Sequence, residues 1–147
     1  MSLRKRTLYE NKIVSKALAI TEAALQKTYE QISGPDETDR FVLLKLSAAK
    51  EEQVLILYLN NQHALIESRV EFKGTINSCM IYPRVIAQSA LELNAAAIIW
   101  AHNHPSGSDK PSRADRNLSQ RLKDTMDLIE VRVLDNLIVA GNKVIHY

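Results

Sequence analysis

Apolar residues follow two different grammars along this chain. Up to about residue 50 they recur at helical spacing, and from Glu51 onward short continuous or alternating runs take over. Ile13, Val14, Ala17, Leu18, Ile20, Ala23, Leu25 and Tyr29 predict an amphipathic helix over residues 8–31. Ile32-Ser33-Gly34-Pro35-Asp36 breaks it, because Gly34 accepts positive φ and Pro35 cannot continue a helix. Phe41, Val42, Leu43, Leu44, Leu46 and Ala48 predict a second helix over 37–50, with Lys45 turned to solvent. Residues 1–50 thus read as a helical lead-in, too short to bury a core alone and packed on a main domain over 51–147.

The main domain opens with Val54 to Leu59, a continuous run with β-favouring members, closed by the turn signal Asn60-Asn61-Gln62. Residues 63–72 alternate loosely and predict its antiparallel partner. A bend at Gly74 leads to a third short strand over 79–82, stopped by Pro83. A helix over 85–94 delivers the chain to Ala95–Ala101, an unbroken apolar run that reads as a fully buried strand. A helix over 113–129 and strands over 131–139 and 143–147 complete the set. Strands before, a helix between and strands after predict an α/β fold: a mixed sheet with helices on both faces.

At 147 residues with 46% hydrophobic and 24% charged residues, the chain suits one globular domain with a core of its own. The lone Cys79 excludes an internal disulfide and a Cys-rich zinc module. No run approaches the roughly 18 apolar residues of a membrane span, and no leader-like apolar region follows the basic start, so a cytoplasmic protein is expected. Net charge is only +2. It is uneven, however: Arg4, Lys5, Arg6, Lys12 and Lys16 face Glu10 alone near the start, and Lys110, Arg113, Arg116, Arg121 and Lys123 outnumber the acids over 109–124. Such patches can track the phosphates of DNA, but a solvated tail and a solvated helix face are the readier explanation.

The chemistry concentrates where the buried strand ends. His102 and His104 lie two residues apart, so on an extended backbone both point to one face while Asn103 points away. Two imidazoles so placed can hold one zinc ion, which wants a third protein ligand and leaves a fourth position to water. Asp115 is the best third ligand, and Asp109 in the intervening loop competes with it. Ser112 and Asp115 have a second reading as a helix cap and its reciprocal partner. On spacing alone, metal binding and plain capping both remain open.

His-x-His, seven residues, then Ser-x-x-Asp is the motif of the JAB/MPN (JAMM) metallopeptidases, met here by His102, His104, Ser112 and Asp115. Tyr82-Pro83-Arg84, Ala90-Leu91-Glu92-Leu93-Asn94-Ala95, Ala101 to Gly107, Pro111-Ser112 and Val133-Leu134-Asp135 resemble the bacterial RadC-like branch, over roughly residues 50–145. The resemblance implies a three-layer fold like that of cytidine deaminases. It also implies Zn2+ on His102, His104 and Asp115, Ser112 as an oxyanion donor, and a glutamate general base near an earlier strand. Glu51 and Glu52 are the candidates, and counting back from Tyr58 to Gln62 favours Glu52. The implied reaction is amide or isopeptide hydrolysis, the substrate being a protein, peptide or small amide that the sequence does not name.

Three features depart from that family. Residues 1–50 are too short for the helix-hairpin-helix DNA-binding module that often precedes the domain. Asp135-Asn136 stands where Asp-His is common, and the chain stops at Tyr147 where relatives usually run on through an aromatic and glycine segment. The first departure speaks against direct DNA binding, but the basic start, the basic face after the motif and the likeness to proteins named for DNA repair keep a DNA-repair-associated accessory protein with little hydrolysis as the rival reading. A nucleobase deaminase is excluded, because it needs His-x-Glu and a Pro-Cys-x-x-Cys pair. The string His-Asn-His does not make an HNH nuclease, whose residues are dispersed over a ββα unit.

Overall fold

A computed structural model describes residues 6–27, 35–74 and 81–147. Helices α1 (Leu8–Lys27) and α2 (Pro35–Leu46) lead into strands β1 (Gln53–Leu59) and β2 (Leu65–Lys73). Helix α3 (Pro83–Glu92), strand β3 (Ala97–Asn103), helix α4 (Arg113–Leu128) and strands β4 (Arg132–Ala140) and β5 (Lys143–His146) follow. Residues 28–31 of the first expected helix, and Cys79 and Met80 of the expected third strand, lie outside the described residues. Ile81 and Tyr82 stay out of the sheet, and Tyr82, with φ −99° and ψ 110°, is the N-cap of α3. Helix α2 ends at Leu46, earlier than expected, because its last fully buried side chain is there and the chain must straighten into β1.

The five strands form one mixed sheet in the order β2-β1-β3-β4-β5. Only β3 and β4 run parallel, which obliges a crossover, and α4 supplies it. Alternation along the strands divides the core in two. Leu55, Leu57, Leu59, Ala97, Ile99, Ala101, Leu137 and Val139 pack against Phe41, Val42 and Leu46 of α2. Val54, Ile56, Tyr58, Ile98 and Trp100 pack against Ile86 and Ala90 of α3 and Leu118, Leu122 and Met126 of α4. The fold is thus three layers, with helices on both faces of a sheet whose central strand, β3, is buried at every residue.

The last strand is tied to α2 by a charge relay on the first of these faces. His146 Nδ1 lies 2.7 Å from Asp135 Oδ2, and Nε2 lies 3.2 Å from Asp39 Oδ2. Both carboxylates can only accept, so both bonds form only when the imidazole is protonated. Burial works against the charge, but the two carboxylates outweigh it and raise the histidine pKa above its ordinary value. A raised native pKa contributes stability that is full below the unfolded value of about 6.5 and is lost as pH rises through the native value. The residues are over a third exposed in part, so solvent screening holds the contribution to about 0.5 kcal/mol. His146→Ala should therefore lower the melting temperature slightly at pH 5.5 and low salt, and have no such effect in alkaline buffer. Thermal denaturation across pH checks this.

Candidate metal centre

The site forms where the chain leaves the carboxyl end of β3 and turns into α4. His102 shares the face of Trp100, two residues before it, and is fully buried. His104 follows, its backbone N–H donating to the Val139 carbonyl (2.9 Å), so the extended course outlasts the strand and both imidazoles face one way. The turn that follows is closed by Gly107 N–H to the His104 carbonyl (2.9 Å), with Gly107 at φ 80°, a conformation glycine adopts without strain. Beyond it, the Ser108 carbonyl accepts from His104 Nδ1 (2.8 Å). A carbonyl can only accept, so Nδ1 carries the proton and Nε2 of the neutral ring presents a lone pair.

Asp115 arrives from the other side on the first turn of α4. It lies in helical register with the buried Leu118, Leu122 and Met126, which turns its carboxylate inward and leaves it 1% exposed. Ser112 and Asp115 form a reciprocal capping box: the Ser112 hydroxyl oxygen accepts from Asp115 N–H (3.0 Å), and Asp115 Oδ2 accepts from Ser112 N–H (2.7 Å). Asp109, by contrast, is exposed in the loop.

The two imidazoles and the carboxylate converge. His102 Nε2 and His104 Nε2 are 3.0 Å apart, His104 Nε2 is 3.1 Å from Asp115 Oδ2, and His102 Nε2 is 3.2 Å from Asp115 Oδ1. Burial pushes the Asp115 carboxyl up, but His102 and the Ser112 donors outweigh it and hold the group well below the usual carboxylate range. Asp115 Oδ1 is nonetheless buried without an aligned donor. His102 Nδ1 is likewise buried with no hydrogen-bond partner, and a divalent cation at the centre of the cluster would meet Asp115 Oδ1 and both Nε2 atoms at once. Three ligands each about 2.0–2.1 Å from a tetrahedral zinc ion stand about 3.3 Å apart, close to what these atoms show. The donor set therefore fits a metal ion, and its three ligand atoms all lie within 4.8 Å of one another.

Sequence reasoning did not reach the packing behind these ligands. Trp100 stacks on His102 with ring centroids 5.0 Å apart and planes 13° apart. Tyr147 presents its ring edge-on to His102 at 6.2 Å. Asn136, whose role the family resemblance left open, accepts from Trp100 Nε1 and donates to the Tyr147 carbonyl (3.1 Å). It thus ties the Trp100 ring to the backbone of Tyr147 behind the cluster. The Trp100–His102 contact follows from strand alternation and could have been read; the long-range approach of Tyr147 left no local signal.

Glu52 lies just before β1. In the antiparallel pairing Val54 sits opposite His102, so extending the register by two residues sets Glu52 opposite His104. Directly opposed residues share a face of the sheet, which gives Glu52 the face of the two histidines and Glu51 the other.

A RadC-like JAB domain model matches residues 32–147. The chain belongs to that family. It is 39% identical over 142 residues to a UPF0758 protein of Vibrio cholerae, covering 97% of this chain and 89% of that one. A second UPF0758 protein of the same organism is 41% identical over 137 residues, covering 93% and 87%. A UPF0758 protein of Marinobacter nauticus is 42% identical over 116 residues, covering 79% of this chain but only 52% of its own length. Among the described residues, no helix is long and apolar enough to cross a membrane.

The fit of the donor set has a measurable consequence. Added Zn2+ or Co2+ at a hundred times its dissociation constant should stabilise the protein by about 2.7 kcal/mol, seen as a rise in melting temperature. Asp115→Asn keeps an oxygen for the cap but gives up the charge, and most of that rise should vanish with it.

Proposed function

We propose that this RadC-like protein is a zinc-dependent hydrolase of amide or isopeptide bonds, with His102, His104 and Asp115 as the metal ligands and Glu52 as the general base. The observation that carries the reading is the buried convergence of two imidazole nitrogens and a carboxylate beside the end of β3, with Glu52 in register opposite His104. Membership of the JAB family supports it.

Zinc, when bound, supplies a Lewis acid that acidifies water and polarises a carbonyl. The remaining chemistry falls to the chain. Asp115 and the two histidines would hold the ion, contributing a single carboxylate charge. The Ser108 carbonyl accepts from His104 Nδ1 and so orients the ring with Nε2 towards the cluster. Glu52 takes a proton from the attacking water and returns it to the leaving amine. Ser112, whose hydroxyl oxygen accepts from Asp115 N–H, turns its own proton to the oxyanion that develops on the substrate carbonyl. Trp100 and Tyr147 close the rear of the site to water, which strengthens each of these interactions.

The test pairs metal content with turnover on a panel of fluorogenic peptide and isopeptide substrates. Glu52→Gln should keep its zinc and lose about 10²–10⁴-fold in rate, while Glu51→Gln should stay near the parent. Hydrolysis by Glu52→Gln at the parental rate would sink the reading. A second reading, a DNA-associated accessory role, is favoured by the exposure of Arg113, Arg116, Arg121 and Lys123 on α4. It predicts a DNA mobility shift that weakens steeply with salt and is reduced when these four are neutralised.

A further inference from the structure

The backbone ladder between β1 and β3 runs in unbroken register from Leu59↔Ala97 to Val54↔His102. Continued past Val54, that register sets Gln53 opposite Asn103 and Glu51 opposite Pro105. Proline has no N–H, so β3 has no backbone donor for the Glu51 carbonyl. The side chain of Asn103 takes over. Its Oδ1 accepts from Gln53 N–H (2.7 Å), and its Nδ2 donates to the Glu51 carbonyl (3.0 Å). A carboxamide offers one acceptor and one donor much as a peptide group does, so Asn103 acts as one more rung of the ladder. It is 3% exposed, and bonds shielded from water in this way hold more firmly.

Glu52 sits between the two peptides so held. Its own carbonyl accepts from Gly74 N–H (2.8 Å) on the β2 side, so the residue is gripped from both neighbouring strands. The residue between the two histidines, turned to the opposite face, thereby sets where the glutamate stands relative to them. We infer that Asn103 is a positioning residue for Glu52: its carboxamide holds the start of β1 against the end of β3 and so aims the Glu52 carboxylate at the metal cluster. The inference rests on the reading of Glu52 as general base, and it assigns a task to the one side chain of the His-x-His segment that does not face the metal.

The test uses the full chain loaded with Co2+, and acetohydroxamate as the probe. A hydroxamate binds a divalent cation through both oxygens as its anion and gives its proton to a neighbouring base. Glu52→Ala should therefore weaken it roughly ten- to a hundredfold, the range for a lost charge-assisted bond, read from the cobalt absorption bands. Asn103→Ala should bring faster amide exchange at Gln53, unchanged cobalt stoichiometry and a weakening close to that of Glu52→Ala. In the Glu52→Ala background it should add nothing, since two residues acting through one contact are not additive. If Asn103→Ala fails to fold, Asn103→Asp keeps an acceptor for Gln53 N–H, loses the donor to Glu51, and should fall between the parent and Glu52→Ala. Undiminished hydroxamate affinity in the Asn103 variant, beside a weakened Glu52→Ala, would overturn the positioning role alone. Undiminished affinity in Glu52→Ala would overturn the general-base reading, and the positioning role with it.

Discussion

The site depends on one carboxylate serving two structures at once. Asp115 Oδ2 accepts the Ser112 N–H that would otherwise be left unpaired at the start of α4, and the same group faces both histidines. A buried charge is costly unless it is paired and hydrogen-bonded, and here the cap provides part of that compensation before any ion binds. The helix thus delivers the carboxylate to the histidines, and its charge favours the helix, since an anion near the N-terminus also meets the positive end of the helix dipole.

Everything else about the fold can be seen as bringing that helix start to that strand end. Parallel pairing of β3 and β4 requires a crossover, and the crossover puts the N-terminus of α4 beside the carboxyl end of β3, where α/β sheets commonly bind their ligands. The stripe of Leu118, Leu122 and Met126 then sets the rotation of α4 and turns Asp115 inward. The same alternation that buries Trp100 aims His102 at it. Core packing and the placement of the His102, His104 and Asp115 cluster are therefore decided by the same few side chains.

Much of this was legible in the chain. The spacing of His102 and His104 gave their common face, and the runs at Val54–Leu59 and Ala95–Ala101 gave two buried strands, because local alternation and helical period are local properties. The competition between Asp109 and Asp115 could also have been decided locally, by noticing that Asp115 falls in step with Leu118 and Leu122. The pairing of β1 with β3, the rings of Trp100 and Tyr147 around His102, and the bonds from Asn103 to residues some fifty positions earlier were not legible. They depend on strand order and register, which no single segment encodes. Asn103 illustrates the difference: alternation correctly turned it away from the histidines, but what it meets there is a matter of topology.

The capping box carries a consequence for what residue can stand at position 115. Glutamate is the usual acidic partner three residues after a serine cap, and it would serve the helix as well as aspartate does. Its extra methylene, however, would push the carboxylate into the space between the two imidazoles, where the oxygens now stand 3.1 and 3.2 Å from Nε2 atoms. A selection for helix stability alone would not distinguish the two acids. The shorter side chain is the one whose reach serves the cap and faces both histidines at these distances.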